Sequence, residues 1–272
     1  MRLRTQVATD AGSPDVPSED RAVVGPNLLA VLDGATARTD TGCRHGVAWY
    51  ADHLAAAIVD NTSLGPTAAL SAAIKQTADR HRGTCDLNHP GTPSAAVAIV
   101  QVADGMLRYL VLGDVTIVLD LGNEELVVTD DRVSRTAVAE RAAADALPSG
   151  SPEKVAALVR MKRAELAARN VPGGYWIAAS DPTAAEHALT GEVRLTRVRR
   201  AAILTDGATR LVDLFNQHDW GGILDILGTN GPTALINQVR AMEATDSSGA
   251  RWPRNKLSDD ATAVYCDGFP VA

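Results

Sequence analysis

Three acidic steps in this sequence each border an apolar run. Leu28–Leu32 breaks into Asp33-Gly34-Ala35-Thr36. Ala201–Leu204, after Thr205, breaks into Asp206-Gly207-Ala208-Thr209. Ser258-Asp259-Asp260-Ala261-Thr262 leads into Ala263-Val264-Tyr265-Cys266. A carboxylate at the end of a buried strand destabilises the fold unless its charge is compensated, and a divalent metal is a common partner. These acids, far apart in sequence but each at a strand end, point to one metal cluster at the rim of a sheet. Oxygen donors with no His or Cys pattern beside them select a hard cation, Mg²⁺ or Mn²⁺. Two such ions can clamp an in-line displacement at phosphorus. Asp33 suits a bridging carboxylate on a rigid strand end, and Gly34 lets the backbone carbonyl approach a metal. Asp-Gly is also an ordinary hairpin turn. Asp104-Gly105 is read as a plain turn, whereas helical patterns follow Asp33 and Asp206.

The elements that must position these acids follow from periodicity. Leu3–Ala8, Ala22–Val24 and Leu28–Leu32 read as strands. Val47, Ala51, Leu54 and Ile58 fall on one helical face, and Leu70, Ile74, Thr77 and His81 on another. Ala95–Val102, Leu107–Leu112, Val115–Leu121 and Glu125–Thr129, joined by tight turns, make an antiparallel meander. Residues 133–170 read as helical, with Ser151 as an N-cap and Pro152 as the first helical residue. Tyr175–Ala179, Val193–Val198 and Ala201–Leu204 read as strands. Leu211–Phe215, Ile223–Leu227 and Leu235–Met242 read as helical. The order predicts an α+β layered domain with mostly antiparallel sheets.

Composition narrows the function classes. A net charge of -7 argues against nucleic acid or an acidic membrane surface as main partner. No apolar run is long enough to span a membrane, and Met1–Thr5 lacks the apolar stretch of a signal peptide. Cys43, Cys85 and Cys266 are widely spaced and form neither a zinc pattern nor a disulfide framework. A reducing cytoplasm is the expected location. Abundant alanine and an excess of arginine over lysine suggest a GC-rich genome.

The order of motifs resembles the metal-dependent serine/threonine phosphatases of the PP2C (PPM) family. Ser18-Glu19-Asp20 is similar to that family's first acidic motif, and "AVLDGAT" to its "VxDGxGG". "TPSAAVAIV" is similar to "GTTAVVAL", "YLVLGDVTIVL" to "VGDSRAYL", and "LVVTDDRVS" to "LTxDHS". "RRAAILTDGATRLVD" is similar to "DxLLLASDGLxxxL", and "SDDATAVYC" to "DNxTxVVV". The resemblance runs from about Thr5 to Cys266. It implies a four-layer α-β-β-α sandwich of two antiparallel sheets. It implies one phosphatase domain over residues 1–272, with a helical flap-like insertion at about 133–188. The activity implied is hydrolysis of phosphoserine or phosphothreonine in a phosphoprotein by a water activated on two Mn²⁺ or Mg²⁺ ions, with a possible third.

By the same resemblance, Asp33 bridges two metals and Gly34 offers its carbonyl to one. Asp206 and Asp259 ligate the other, and Glu19 holds a water on a metal. Asp20 supports the cluster from behind, Asp131 matches the acid of the third site, and Asp114 steadies a meander turn. The chain departs from the family in two places. No arginine precedes the first acidic motif, and the glycine-rich or histidine step after Asp33-Gly34 is replaced by Ala35-Thr36-Ala37-Arg38. Arg38, Arg44 and His45 are therefore the candidate phosphate ligands, since helix N-termini and arginines both favour phosphate. Arg132 stands where the family has a histidine. These departures keep two alternatives open: a phosphatase-like binding or regulatory module with little turnover, and a phosphatase of small phosphometabolites. Oligomeric state is not legible in the sequence.

Overall fold

Strands whose two faces are both apolar need a covering layer on each side, and this chain supplies both layers. The computed structural model describes residues 3–270; Met1, Arg2, Val271 and Ala272, at the ends of the expected domain, lie outside it. Two five-stranded sheets form, one in the order β1-β10-β9-β6-β7 and the other β2-β3-β4-β5-β8. The first contains β1 (Arg4–Asp10), β6 (Thr116–Asp120), β7 (Glu125–Val128), β9 (Arg200–Leu204) and β10 (Ala261–Asp267). The second contains β2 (Arg21–Val24), β3 (Leu28–Gly34), β4 (Ala95–Ala103), β5 (Met106–Leu112) and β8 (Leu189–Arg194). Every pairing is antiparallel.

Side-chain alternation divides the core into layers. On β3, Leu28, Ala30 and Leu32 pack with Leu54, Ile58, Leu70 and Ile74 of α1 (Gly46–Asp60) and α2 (Pro66–His81). Leu29 and Val31 instead meet Ile117, Ile203 and Val264 of the other sheet. On β9, Ala202 and Leu204 turn outward onto α5 (Asp206–Asp213), α6 (Trp220–Asn230) and α7 (Pro232–Ala244). The result is the α-β-β-α sandwich. Among the described residues no helix is long and apolar enough to cross a membrane.

Register brings the acidic steps to one end. Thr116 pairs with Leu204, and Leu204 with Ala263. Asp114, Asp206 and Asp259 therefore sit at the same edge of the first sheet. Asp33, opposite Ala96, ends β3 in the second. The expected helix faces are buried: Val47, Ala51, Leu54 and Ile58 on α1, and Leu70, Ile74, Thr77 and His81 on α2. Asp104 and Gly105 have φ of 53° and 72°, the geometry of a type I′ hairpin between β4 and β5.

Within residues 133–170 two helices form, α3 (Val138–Asp145) and α4 (Pro152–Ala167), a hairpin packed on Ala144, Ala157, Leu158 and Met161. Ser151 does cap α4, accepting the Lys154 N–H at 3.1 Å. Tyr175–Ala179 is a buried loop rather than a strand. The Asn170 side-chain amide accepts the Ile177 N–H at 2.8 Å and donates to its carbonyl at 3.0 Å, and the pairing with β4 is confined to a single bridge between Ala178 and Ala95. Val193–Val198 divides between the end of β8 and a 3₁₀ turn at Leu195–Arg197.

Candidate active site

Separate chain segments deliver carboxylates to one pocket of about 330 Å³ at the shared end of the sheets. Asp33 comes from the end of β3, Asp114 from the turn before β6, Asp206 from the first residue of α5, and Asp259 from the loop before β10. Asp260 is engaged elsewhere. Its two carboxylate oxygens accept the Gly12 N–H at 2.9 Å and the Glu19 N–H at 2.6 Å, which ties the Gly12–Glu19 loop to the foot of β10. Arg21 braces the same loop, donating to the carbonyls of Ser18 and Asp20 at 2.7 and 2.6 Å.

Glu19 and Asp20 stand behind Asp33 and Gly34 rather than lining the pocket. A Glu19 carboxylate oxygen accepts the Thr36 hydroxyl. Asp20 is 2% exposed. One of its oxygens accepts the Thr205 hydroxyl at 2.9 Å, and the other has no hydrogen-bond partner among the described residues. A buried carboxylate oxygen without a partner costs stability unless a cation satisfies it.

The electrostatics carry the same strain. Burial, then the charges of Asp20, Asp206, Asp114 and Asp259, push Asp33 well above the usual carboxylate range. Asp206 opens into the pocket, yet desolvation by the surrounding protein, then Asp259 and Asp114, push it up to about 8. Burial carries Asp20 to about 7 against the Thr205 and Thr262 hydroxyls, and it raises Glu19 and Asp114 as well. A set of all-oxygen donors that repel one another, with one buried oxygen orphaned, fits a hard divalent ion of the Mg²⁺ or Mn²⁺ kind.

Gly34 is fixed by space. A Cβ there would come within 2.7 Å of the Glu19 Cβ, the Glu19 carbonyl oxygen and Val47 Cγ1. Gly34→Ala is expected to cost about 1–3 kcal/mol of stability, the usual range for overpacking. It should also displace Glu19, so that metal affinity falls further than stability alone explains. Mn²⁺ titration beside urea unfolding measures both, and unchanged affinity in a destabilised variant would count against a metal-facing role for Gly34.

Cations meet the acids from several sides. The Lys256 ammonium pairs with one Asp259 oxygen, and Arg210 Nη2 lies 3.6 Å from the other. Arg38, Arg141 and Lys162 also line the pocket. Lys162 is 3.7 Å from Glu165, and burial lowers its pKa in spite of that partner. Arg141 Nη2 donates to Glu165 at 2.7 Å, while its buried Nε has no partner among the described residues. Arg38 donates to the Asn255 carbonyl at 3.5 Å.

The structure brings Asp33, Gly34, Asp206, Asp259 and Arg38 together at the pocket wall. It does not bring in Asp131, Arg44 or His45. Asp131 is an exposed turn residue paired with Arg135, and the buried acid beside it, Asp130, is held by Arg132. Arg44 is exposed. His45 is stacked on Trp49 with ring centroids 4.3 Å apart, and its Nε2 meets the Thr84 hydroxyl at 3.1 Å. Sequence reasoning missed Lys162, Arg141, Glu165 and Lys256, and took Asp114 for a turn residue only. Lys256, three positions before Asp259, carried a usable signal; charges on α3 and α4 look like any solvated helix face.

No protein-family model matches the chain, and no curated protein does. Solved structures do. The Mycobacterium tuberculosis serine/threonine phosphatase PstP/Ppp superposes with a TM-score of 0.59 at 16% identity, covering 99% of this chain and 100% of that one. The PstP catalytic domain in complex with two manganese ions gives 0.56 at 18% identity, covering 97% of each chain. The Staphylococcus aureus serine/threonine phosphatase Stp1 gives 0.58 at 13% identity, covering 99% of this chain and 96% of that one. At such identities the likeness establishes the fold: the chain has the two-sheet sandwich of the PPM serine/threonine phosphatases.

Proposed function

We propose that this chain is a Mn²⁺- or Mg²⁺-dependent phosphomonoester hydrolase acting as a serine/threonine protein phosphatase. The observation that carries this reading is the convergence of Asp33, Asp206 and Asp259 on one pocket, backed by the unpartnered oxygen of Asp20. Asp33, the Gly34 carbonyl, Asp206 and Asp259 would hold the ions, with Glu19 and Asp20 behind them. When bound, two such ions supply Lewis-acid charge and an activated water. The chain's own work is positional and electrostatic. The Thr36 hydroxyl fixes the Glu19 carboxylate, and Asp260 fixes the loop that carries it. Arg38, Arg141 and Lys162 outnumber the Glu165 carboxylate that pairs with the last two, and this excess of cations in the lining is where the substrate phosphate would dock. The α3–α4 hairpin supplies Arg141, Lys162 and Glu165 to that lining and serves as the substrate-facing flap. A phosphoprotein is the proposed substrate and the cytoplasm the proposed location.

The first test is hydrolysis of p-nitrophenyl phosphate with EDTA, Mg²⁺ and Mn²⁺ compared, followed by phosphopeptides against a panel of small phosphometabolites. Turnover that depends on Mn²⁺ or Mg²⁺ and prefers phosphopeptides is expected. A preference for metabolites would move the substrate class, and no turnover with any metal would sink the reading.

A second reading has one observation in its favour: Asp259 already pairs with Lys256 and Arg210. An ammonium on a ligand carboxylate competes with a metal, as in a binding module of low turnover. Lys256→Met is expected to tighten Mn²⁺ binding by roughly tenfold, the effect of removing one nearby like charge at about 1–2 kcal/mol. Calorimetric titration decides it. Weaker binding in the variant would show that Lys256 does not compete.

A further inference from the structure

Away from the acidic pocket, the α1–α2 hairpin brings together residues that the sequence keeps apart. Cys43 and Cys85 lie 42 positions apart, yet their sulfurs are 2.8 Å from each other. His81 Nδ1 is 3.6 Å from Cys43 Sγ, and one ligand atom from each of the three residues lies within 4.8 Å of the other two. His81 is 1% exposed, and its Nε2 has no hydrogen-bond partner among the described residues. Thiols are weak hydrogen-bonding groups, so their attraction for one another gives little reason to gather two of them around a buried imidazole. The surroundings act differently on the two sulfurs: burial and the neighbouring Cys85 push the Cys43 thiol up, whereas Cys85, against its own burial, is held below the usual thiol range by its contacts with Cys43 and the Thr84 hydroxyl.

We propose that Cys43, His81 and Cys85 form a metal site for a soft divalent cation of the zinc class, stapling the start of α1 to the end of α2. Tetrahedral zinc with Zn–S of about 2.3 Å and Zn–N of about 2.0–2.1 Å sets S···N near 3.6 Å and S···S near 3.8 Å. The sulfur–imidazole spacing already has that value, and the two sulfurs part by about 1 Å on binding. Both cysteines are partly exposed, so an ion reaches them from solvent. The fourth position is left to water, beside His45 and Thr84. Thiolate and imidazole donors separate this site chemically from the all-oxygen pocket. The loop from Gly34 to α1 carries both Arg38 and Cys43, so the staple fixes the far end of the segment that borders the pocket. The site stands independently of the phosphatase reading.

The test is Co²⁺ titration of the reduced full-length protein under anaerobic conditions, monitored by thiolate-to-cobalt charge-transfer absorption. Carboxylate ligands give no such band, so the readout ignores the acidic pocket. The expected result is one equivalent of Co²⁺ with the band, displaced by Zn²⁺ and not by Mg²⁺. Cys85→Ser should weaken binding by at least about 100-fold, beyond the 10–100-fold usual for losing an outer hydrogen-bond partner, in a variant with unchanged circular dichroism. Absence of the band in reduced wild-type protein at saturating Co²⁺ overturns the proposal, whether or not the variant folds. A band that survives Cys85→Ser also overturns it.

Discussion

Asp206→Asn is expected to abolish metal-dependent turnover and, in EDTA, to make the protein more stable. The two effects have one cause. Asp206 is pushed up to about 8 by desolvation and by the charges of Asp259 and Asp114, so its ionised form is disfavoured without a metal. Asparagine keeps the shape and removes the charge. The metal-free protein then sheds a repulsion that also bears on Asp33. Turnover should fall by more than about 100-fold, since loss of a direct ligand exceeds the 10–100-fold cost of losing an outer partner. The gain in Tm should be a few degrees, at roughly 2–4 °C per kcal/mol for a chain of this size. Steady-state hydrolysis of p-nitrophenyl phosphate and thermal unfolding in EDTA at pH 8 measure the pair. Simple damage to the fold would lower both quantities. Activity near wild type in Mn²⁺ would remove Asp206 from the metal set.

The layers of this fold were legible because strands buried on both faces are written as unbroken apolar runs, as at Leu28–Leu32 and Ala201–Leu204. Asp33 and Asp206 stood out because each interrupts such a run. Other parts are silent in one dimension for identifiable reasons. Tyr175–Ala179 has the composition of a strand, but its backbone bonds go to separate partners, Tyr175 to Ala168 and Asn170, Ile177 to the Asn170 side chain and Ala178 to Ala95, so no continuous ladder forms. Arg141 and Lys162 sit on a helical hairpin whose orientation over the acids no periodicity encodes. Asp131 and Asp130 are adjacent acids in one turn, and pairing with Arg135 or Arg132 decides which is exposed. The cysteines show no ligand spacing because a helical hairpin, rather than a short knuckle, brings them together. His81 shares the face of Leu70 and Ile74, which reads as core whatever its ring nitrogens do.

The same acids predict how metal and pH act together on stability. In the metal-free protein, stability should fall as pH rises from about 6.5 to 8. The sign follows from proton counts. Asp20 and Asp206 move from 3.8 to about 7 and about 8 on folding. Within that window the folded state binds more protons than the unfolded state, so raising the pH favours unfolding. The stabilisation is complete below the unfolded value and lost as pH passes through the folded ones. His81, whose pKa is lowered by burial, works in the opposite direction up to and somewhat above the unfolded imidazole value of about 6.5, so its effect fades across the lower part of the window. Each excess proton contributes a slope of up to about 1.4 kcal/mol per pH unit. Saturating Mn²⁺ should reverse the trend, because the ion displaces those protons and binds only the folded state. At a hundredfold excess over its dissociation constant the ion adds about 2.7 kcal/mol. The gain should therefore grow with pH, in step with the deprotonation of Asp20 and Asp206. Urea unfolding at pH 6.5, 7.2 and 8.0, in EDTA and in Mn²⁺, provides the full comparison. Parallel curves with and without the ion would mean that these carboxylates do not share a metal.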